Sequence, residues 1–222
     1  MVDALCIAPA YDLATYRTST AAKITVTILR QYNFEVDILE REEATRDKFE
    51  SLLSERFQNG KDPWDLIVYF GHGTPESLIG QSDGYDRPLV DLNNVVDLSG
   101  SIVAALACYS LKQLGNRSIS TKTRAYIGWN DLLYLPDMIE GERNFQGDFL
   151  RTFVLIPLCL AKGYSVHDTV IEFKSLCDEY ITMYLSGTLH FGEDAAFMMT
   201  HNRDFIDYAG RPDTKIEAGV VV

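Results

Sequence analysis

DLIVYFGHG at residues 65–73 and IVAALAC at residues 102–108 decide how this chain is read. Each opens on a nearly unbroken apolar run, rich in branched and aromatic side chains and too short for a helix. Such a run is expected where a strand is buried on both faces of a parallel sheet. Each run also ends on a chemically competent residue. The first meets His72 between Gly71 and Gly73, and the second meets Cys108. The stretch between them is long enough for one crossover connection between neighbouring parallel strands. In open α/β sheets, ligands bind beyond the carboxyl ends of the strands, near the point where strand order reverses. Two such ends side by side would set an imidazole next to a thiol.

Working outward, strands and helices alternate. Residues 5–8 form a short apolar strand before Pro9. Ser19 or Thr20 then caps a helix to about Tyr32, with Ala21, Ile24, Ile28 and Tyr32 along one face. Residues 34–39 alternate Phe34, Val36 and Ile38 with Glu35 and Asp37, as a strand with one wetter face does near a sheet edge. Thr45 opens a helix carrying Phe49, Leu52, Leu53 and Phe57, which Asn59-Gly60 stops. A polar loop is predicted from Thr74 to about Asp97, and a further buried strand at AYIG, residues 125–128. The C-terminal part is more helical. Residues 144–160 form an apolar helix with Pro157 in its last turn, and Ser165-x-x-Asp168 opens an amphipathic helix with an apolar stripe from Val170 to Tyr184. Residues 195–200 read as a last strand. Together these predict a single α/β domain over residues 1–222, with helices on both faces of a mostly parallel central sheet.

Composition narrows the partners. The chain has 222 residues and a formal charge of −12, which repels a phosphate backbone and excludes nucleic acid as a natural partner. No segment has the roughly 18–20 apolar residues needed to span a bilayer, and the N-terminal run, interrupted by Asp3, reads as a core strand rather than a secretion signal. Cys6, Cys108, Cys159 and Cys177 each sit in an apolar run without CxxC spacing, as reduced cysteines of a cytoplasmic protein would. No metal-ligand spacing and no phosphate-binding glycine loop is present, so neither metal nor cofactor is expected.

The pairing makes chemical sense. A free thiol with a pKa of about 8.5 is mostly protonated at neutral pH, and an adjacent imidazolium lowers that value. The thiolate attacks a carbonyl, and the imidazolium protonates the leaving amine. The amide N–H groups of Gly73 and Cys108 are candidates to face the developing oxyanion. Taken singly, each element has a plainer reading. A cysteine closing an apolar strand is commonly a small core residue, and Gly-His-Gly can be no more than a turn. Their joint placement after two buried strands favours chemistry.

At these residues the sequence resembles the caspase-like cysteine peptidases (clan CD), a group that includes caspases, gingipains, clostripain, separase and the CHAT domains. Its signature is an apolar block ending in His-Gly and a second ending in Ala-Cys. RAYIGWND at 124–131, the segment 149–174 and LHFGEDAAFM at 189–198 are similar to later parts of CHAT and gingipain domains. The resemblance implies peptide-bond hydrolysis of a peptide or protein substrate, with Cys108 as nucleophile, His72 as acid and base, and Gly73 in the oxyanion hole. It implies a selective pocket for the residue preceding the scissile bond (P1), with Asp12, Trp129 and Asp131 as candidate lining residues, and a regulatory partner protein as in CHAT relatives. An acidic pocket would select Lys or Arg. Asp12 could instead orient His72, and Asp131 could instead cap a helix at DLLYLPD. Clostripain-type relatives carry Asp two residues before the nucleophile, where this chain has Leu106. The competing expectations are a non-catalytic binding relative and an α/β enzyme of another kind, such as an amidohydrolase or acyltransferase.

Overall fold

The computed structural model describes residues 2–81, 87–136, 144–186 and 189–217. In chain order the elements are β1 (Val2–Ala8), α1 (Leu13–Gln31), β2 (Phe34–Glu40), α2 (Arg46–Gln58) and β3 (Leu66–Phe70), then three short strands, β4 (Gly73–Thr74), β5 (Ser77–Ile79) and β6 (Pro88–Asp91). There follow β7 (Ile102–Leu106), α3 (Asn116–Ser120), β8 (Ala125–Trp129), α4 (Phe145–Ala161), α5 (Val166–Ser186), α6 (Gly192–Phe205) and β9 (Ile206–Gly210).

The main sheet has the order β2-β1-β3-β7-β8-β9. All its pairings are parallel except that of β8 with β9. Every residue of β3 and β7 is buried, because both sheet faces are covered. Alternation along the strands divides the core in two. Ala4, Cys6, Val68, Phe70, Ala104 and Leu106 pack beneath α1, α4 and α5. Leu5, Ile7, Ile67, Tyr69, Val103 and Ala105 pack against α2 and the small antiparallel sheet of β4, β5 and β6. This is the α/β architecture expected, a mostly parallel sheet with helices on both faces. Strand β2 lies at the edge as expected, but its alternation breaks at Ile38, which is exposed while Leu39 is buried.

An acid in β1 requires a partner, and it has one. Asp3 accepts from Arg56 Nη2 at 2.6 Å, and Arg56 Nη1 also reaches Asp37 Oδ2 at 3.2 Å. The guanidinium, only 6% exposed, lies over the Trp64 ring at 4.8 Å. This buried cluster ties β1, β2 and α2 together at the amino end of the sheet, opposite the site described below.

Four expectations are corrected. Helix α1 begins at Leu13, not near Ser19, because Asp12 caps it: Asp12 Oδ1 accepts the Thr15 N–H at 2.8 Å and the Thr15 hydroxyl oxygen accepts the Asp12 N–H at 3.1 Å. Its first turns bury Thr15, Thr18 and Ser19 while Leu13 and Tyr16 are exposed, so apolar periodicity gives no sign of them; Ile24 and Tyr32, assigned to the packed face, are exposed too. Residues 74–97 are not simply a loop, since they contain β5 and β6, whose Leu78, Leu89 and Val90 cover one sheet face. Residues 195–200 lie within α6, where Ala195, Ala196, Met199 and Asn202 are buried at helical spacing and Ala and Met are good helix formers. Finally, residues 131–136 form no helix, so Asp131 caps none.

Candidate active site

Strand β1 lies between β2 and β3, so the strand order reverses between β1 and β3. The residues just beyond the carboxyl ends of β1, β3 and β7 therefore surround one crevice. Register then sets their height. Phe70 pairs with Leu106, and the Gly71 N–H donates to Leu106 O at 3.3 Å beyond the last strand residues. His72 and Cys108 each stand two residues past this pair. Both line a cavity of about 90 Å³ on the α1 and α4 side of the sheet. Its walls are Ala14, Thr15 and Thr18 from α1, and Leu133, Leu135 and Phe153 opposite.

The backbone around His72 is held closely. Its carbonyl accepts from the Ile79 N–H at 3.0 Å and the Tyr69 hydroxyl at 2.7 Å. A β-carbon on Gly71 would collide with that hydroxyl, and one on Gly73 would lie 2.6 Å from the Cys108 carbonyl oxygen and 2.9 Å from Ala107 Cβ. Only glycine lets the two loops approach this closely. The imidazole Nε2 meets Asp12 Oδ2 at 2.6 Å, with the His72 and Asp12 side chains 41% and 42% exposed. One oxygen of Asp12 thus caps α1 while the other holds His72. Partial burial works to raise the Asp12 pKa, but the Thr15 amide, His72 and the Thr15 hydroxyl bring it below the ordinary carboxylate value. A carboxylate at Nε2 fixes the proton of a neutral ring there and leaves Nδ1 as the nitrogen able to take one up.

Cys108 is half-buried, whereas Cys6, Cys159 and Cys177 are buried. Its Sγ accepts the Leu133 N–H at 3.3 Å, and the thiol faces Leu133 O at 3.9 Å. Burial pushes the thiol pKa up; the amides of Leu133 and of Cys108 itself pull it down, Asp131 adds to the rise, and the net shift is upward. Tyr109, directly after it, has φ of 55°, a left-handed conformation uncommon in residues other than glycine, and its N–H donates to Asp131 O at 2.9 Å.

The structure brings His72, Cys108, Gly73 and Asp12 together. None of the three expected pocket residues, Asp12, Trp129 and Asp131, is in the cavity wall; Asp12 instead holds His72. Trp129 is fully buried, set edge-on to Phe153 and Phe173, and its Nε1–H donates to Asn202 O at 3.0 Å. Asp131 turns a carboxylate oxygen to the Leu132 N–H at 2.8 Å. Sequence reasoning missed Thr15, Thr18, Leu133, Leu135 and Phe153, which make the walls. The pattern Asp12-x-x-Thr15 was a usable sign for the first two, since it is a helix-capping motif. Segment 131–135 carries no such sign. It is pinned by fully buried Asn202, whose amide exchanges two 2.8 Å bonds with the Tyr134 backbone.

A larger cavity of about 310 Å³ lies elsewhere, between the start of α2 and β6, but its main feature is the Arg46–Asp91 ion pair and no cysteine or histidine lines it. Among the described residues, no group of three or more His, Cys, Asp and Glu side chains is placed to hold a metal ion, and no helix is long and apolar enough to cross a membrane.

No protein-family model matches the chain, and comparison with characterised proteins finds no match. Among solved structures it is similar to the X-ray structure of a secreted C11 cysteine protease from Bacteroides thetaiotaomicron in complex with an irreversible peptide inhibitor, with a TM-score of 0.48 and 10% identity. The likeness covers 81% of this chain and 59% of the other, so the chain spans less than two thirds of that protease's length.

Proposed function

We propose that this chain is a caspase-like cysteine peptidase that hydrolyses peptide bonds with Cys108 as nucleophile and His72 as general acid and base. One observation carries the reading: two register-matched strand ends put an imidazole and the least buried thiol on the rim of one cavity, with a carboxylate behind the imidazole. In the first half-reaction, His72 Nδ1 takes the thiol proton as Sγ bonds to the scissile carbonyl carbon. The same nitrogen then protonates the departing amine as the C–N bond breaks, leaving a thioester. In the second half-reaction, His72 takes a proton from water, the hydroxide displaces sulfur, and the acid product leaves with the thiol restored. The N–H groups of Gly73 and Cys108, which belong to two loops packed closely against each other, are the proposed donors to the oxyanion in both steps. The four free thiols suit work in a reducing compartment.

A second reading, a non-catalytic peptide-binding relative, draws support from the raised thiol pKa and the Leu133 backbone at Sγ. A pooled peptide library, read for cleavage sites by mass spectrometry with wild type and Cys108→Ala, separates the two. Cuts by wild type that vanish in the variant are expected. Peptides retained uncut by both proteins would establish the binding reading instead.

A further inference from the structure

The cavity beside Cys108 has a chemical character that its sequence neighbours do not suggest. If the chain is the peptidase proposed above, this cavity, which His72 and Cys108 both line, is the place for the substrate side chain next to the scissile bond. Among its described lining residues, His72 and Cys108 are the only ionisable groups. Neither of the two carboxylates that could have met a basic side chain stands in the cavity wall. Asp12 spends one oxygen on the Thr15 N–H and the other on His72, and Asp131 lies outside the wall and bonds the Leu132 N–H. The wall hydroxyls are engaged as well: Thr15 Oγ1 with Asp12, and the Thr18 hydroxyl donating to Thr15 O at 3.1 Å. What remains is an apolar surface from Ala14, Leu106, Leu133, Leu135 and Phe153.

Size points the same way. The volume is about 90 Å³, whereas a dry apolar cavity that takes benzene measures roughly 150 Å³. A methyl, isopropyl or isobutyl group can be held within it, whereas a phenyl ring or an extended Lys or Arg chain would project from its open side. A cation forced into this space would lose its water without gaining a counter-charge. We infer that the site selects a short, uncharged aliphatic P1 residue, of alanine to leucine size, and rejects the basic P1 residue that an acidic pocket would choose. Leu133 and Leu135 on one side and Thr15 and Thr18 on the other are the specificity-determining residues.

The test uses tripeptide electrophiles identical except at P1, which carries Ala, Val, Leu, Phe, Lys or Asp. The rate of Cys108 modification is followed by intact-mass spectrometry, with iodoacetamide as a probe indifferent to the pocket and Cys108→Ala as the control. The best of the Ala, Val and Leu probes should react roughly 100-fold faster than the Lys, Asp and Phe probes, the discrimination a methylene-scale pocket can deliver. In Leu135→Ala, whose pocket is deeper, the Phe probe should gain at least tenfold on the Val probe. A Lys or Asp probe as fast as the aliphatic set, or an unchanged Phe-to-Val ratio in Leu135→Ala, overturns the inference and leaves the peptidase reading standing. Failure of every peptide probe to modify Cys108, whatever iodoacetamide does, removes both.

Discussion

Replacing Asp12 with asparagine changes one atom of the side chain and separates the two tasks that the carboxylate performs. Asparagine is as good a helix N-cap as aspartate, so Oδ1 can still accept the Thr15 N–H at the 2.8 Å position, and α1 keeps its start. At the other position a carboxylate oxygen, 2.6 Å from His72 Nε2, becomes an amide donor. A donor there favours the tautomer with Nε2 bare and the proton on Nδ1, which lowers the fraction of rings able to accept the thiol proton. A charge-assisted hydrogen bond contributes about 1.5–3 kcal/mol, which at about 1.4 kcal/mol per decade is roughly 10- to 150-fold in rate. The Asp12 and His72 side chains are 42% and 41% exposed, and water competes for both. That places the expected loss in kcat near the lower end, about tenfold, far from the roughly 10⁴-fold seen when a fully buried triad aspartate is replaced by asparagine. Asp12→Ala should lose a similar factor in rate and also the cap, about 1 kcal/mol, or some 2–4 °C in melting temperature for a chain of this size. The assay is kcat on a cleaved peptide from the library, with the melting temperature of each variant measured in parallel. Wild-type kcat in Asp12→Asn, with Cys108→Ala inactive, would show that the carboxylate serves the helix alone. A melting temperature in Asp12→Asn as low as in Asp12→Ala would refute the division of labour between the two oxygens.

Other outcomes follow from the same geometry. Gly73→Ala forces a β-carbon to within 2.6 Å of the Cys108 carbonyl oxygen, so the loops must part; we expect a cost of about 1–3 kcal/mol by urea denaturation and the loss of most peptide cleavage. Arg56→Met leaves Asp3 and Asp37 facing each other at the amino end of the sheet and should cost about 3 kcal/mol by urea denaturation with no change in kcat, the lower end of the range for a broken buried pair because Asp37 is partly solvated. The fully buried Cys6 thiol is pushed from 9.0 up to about 12 by desolvation, with Glu40 adding to the rise. The unfolded chain therefore releases this proton first: the contribution of Cys6 is complete below pH 9 and is lost as pH rises toward 12, at about 1.4 kcal/mol per unit. Urea midpoints between pH 8 and 11 should fall accordingly, and Cys6→Ala should flatten that slope.

Much of the fold was legible because burial on both faces leaves a plain trace. The strands read at 65–70, 102–107 and 125–128 are found at 66–70, 102–106 and 125–129, and Ser165 opens α5 as its spacing with Asp168 predicts. What escaped had a local cause. The first turns of α1 face the crevice with threonines, so no apolar stripe announces them, although the Asp12 capping pattern does. Strands β4, β5 and β6 are too short to show a period and fold only by covering Ile67 and Tyr69 from outside. Strand β9 pairs antiparallel with β8, a partner far away in the sequence, and only tertiary pairing selects it over an extension of α6. In the site, the two strand-end residues were legible because strand ends are; the walls were not, because Leu133 and Leu135 belong to an irregular segment held by a buried asparagine at position 202. Trp129 was misplaced for a related reason. It is the last residue of a strand, and at that position side-chain parity, not proximity to the crevice, decides whether a residue faces the core.

The resting state of Cys108 bears on how such a site would act. Its thiol is raised by burial and by Asp131, against the pull of two amides, and its near neighbours are the Leu133 backbone groups rather than the ring. A thiol shifted in this direction is not activated in advance as a thiolate. On the proposed mechanism, deprotonation would then coincide with attack and depend on the imidazole that Asp12 holds. Small, unspecific electrophiles, which react only with the thiolate fraction, should modify Cys108 slowly near pH 7 and faster as pH rises past 9. A peptide that fills the crevice, displaces water from His72 and places its carbonyl against Sγ should react quickly at neutral pH. The gap between those two rates measures what the fold contributes by bringing β1, β3 and β7 to one edge, independent of the intrinsic reactivity of a lone cysteine.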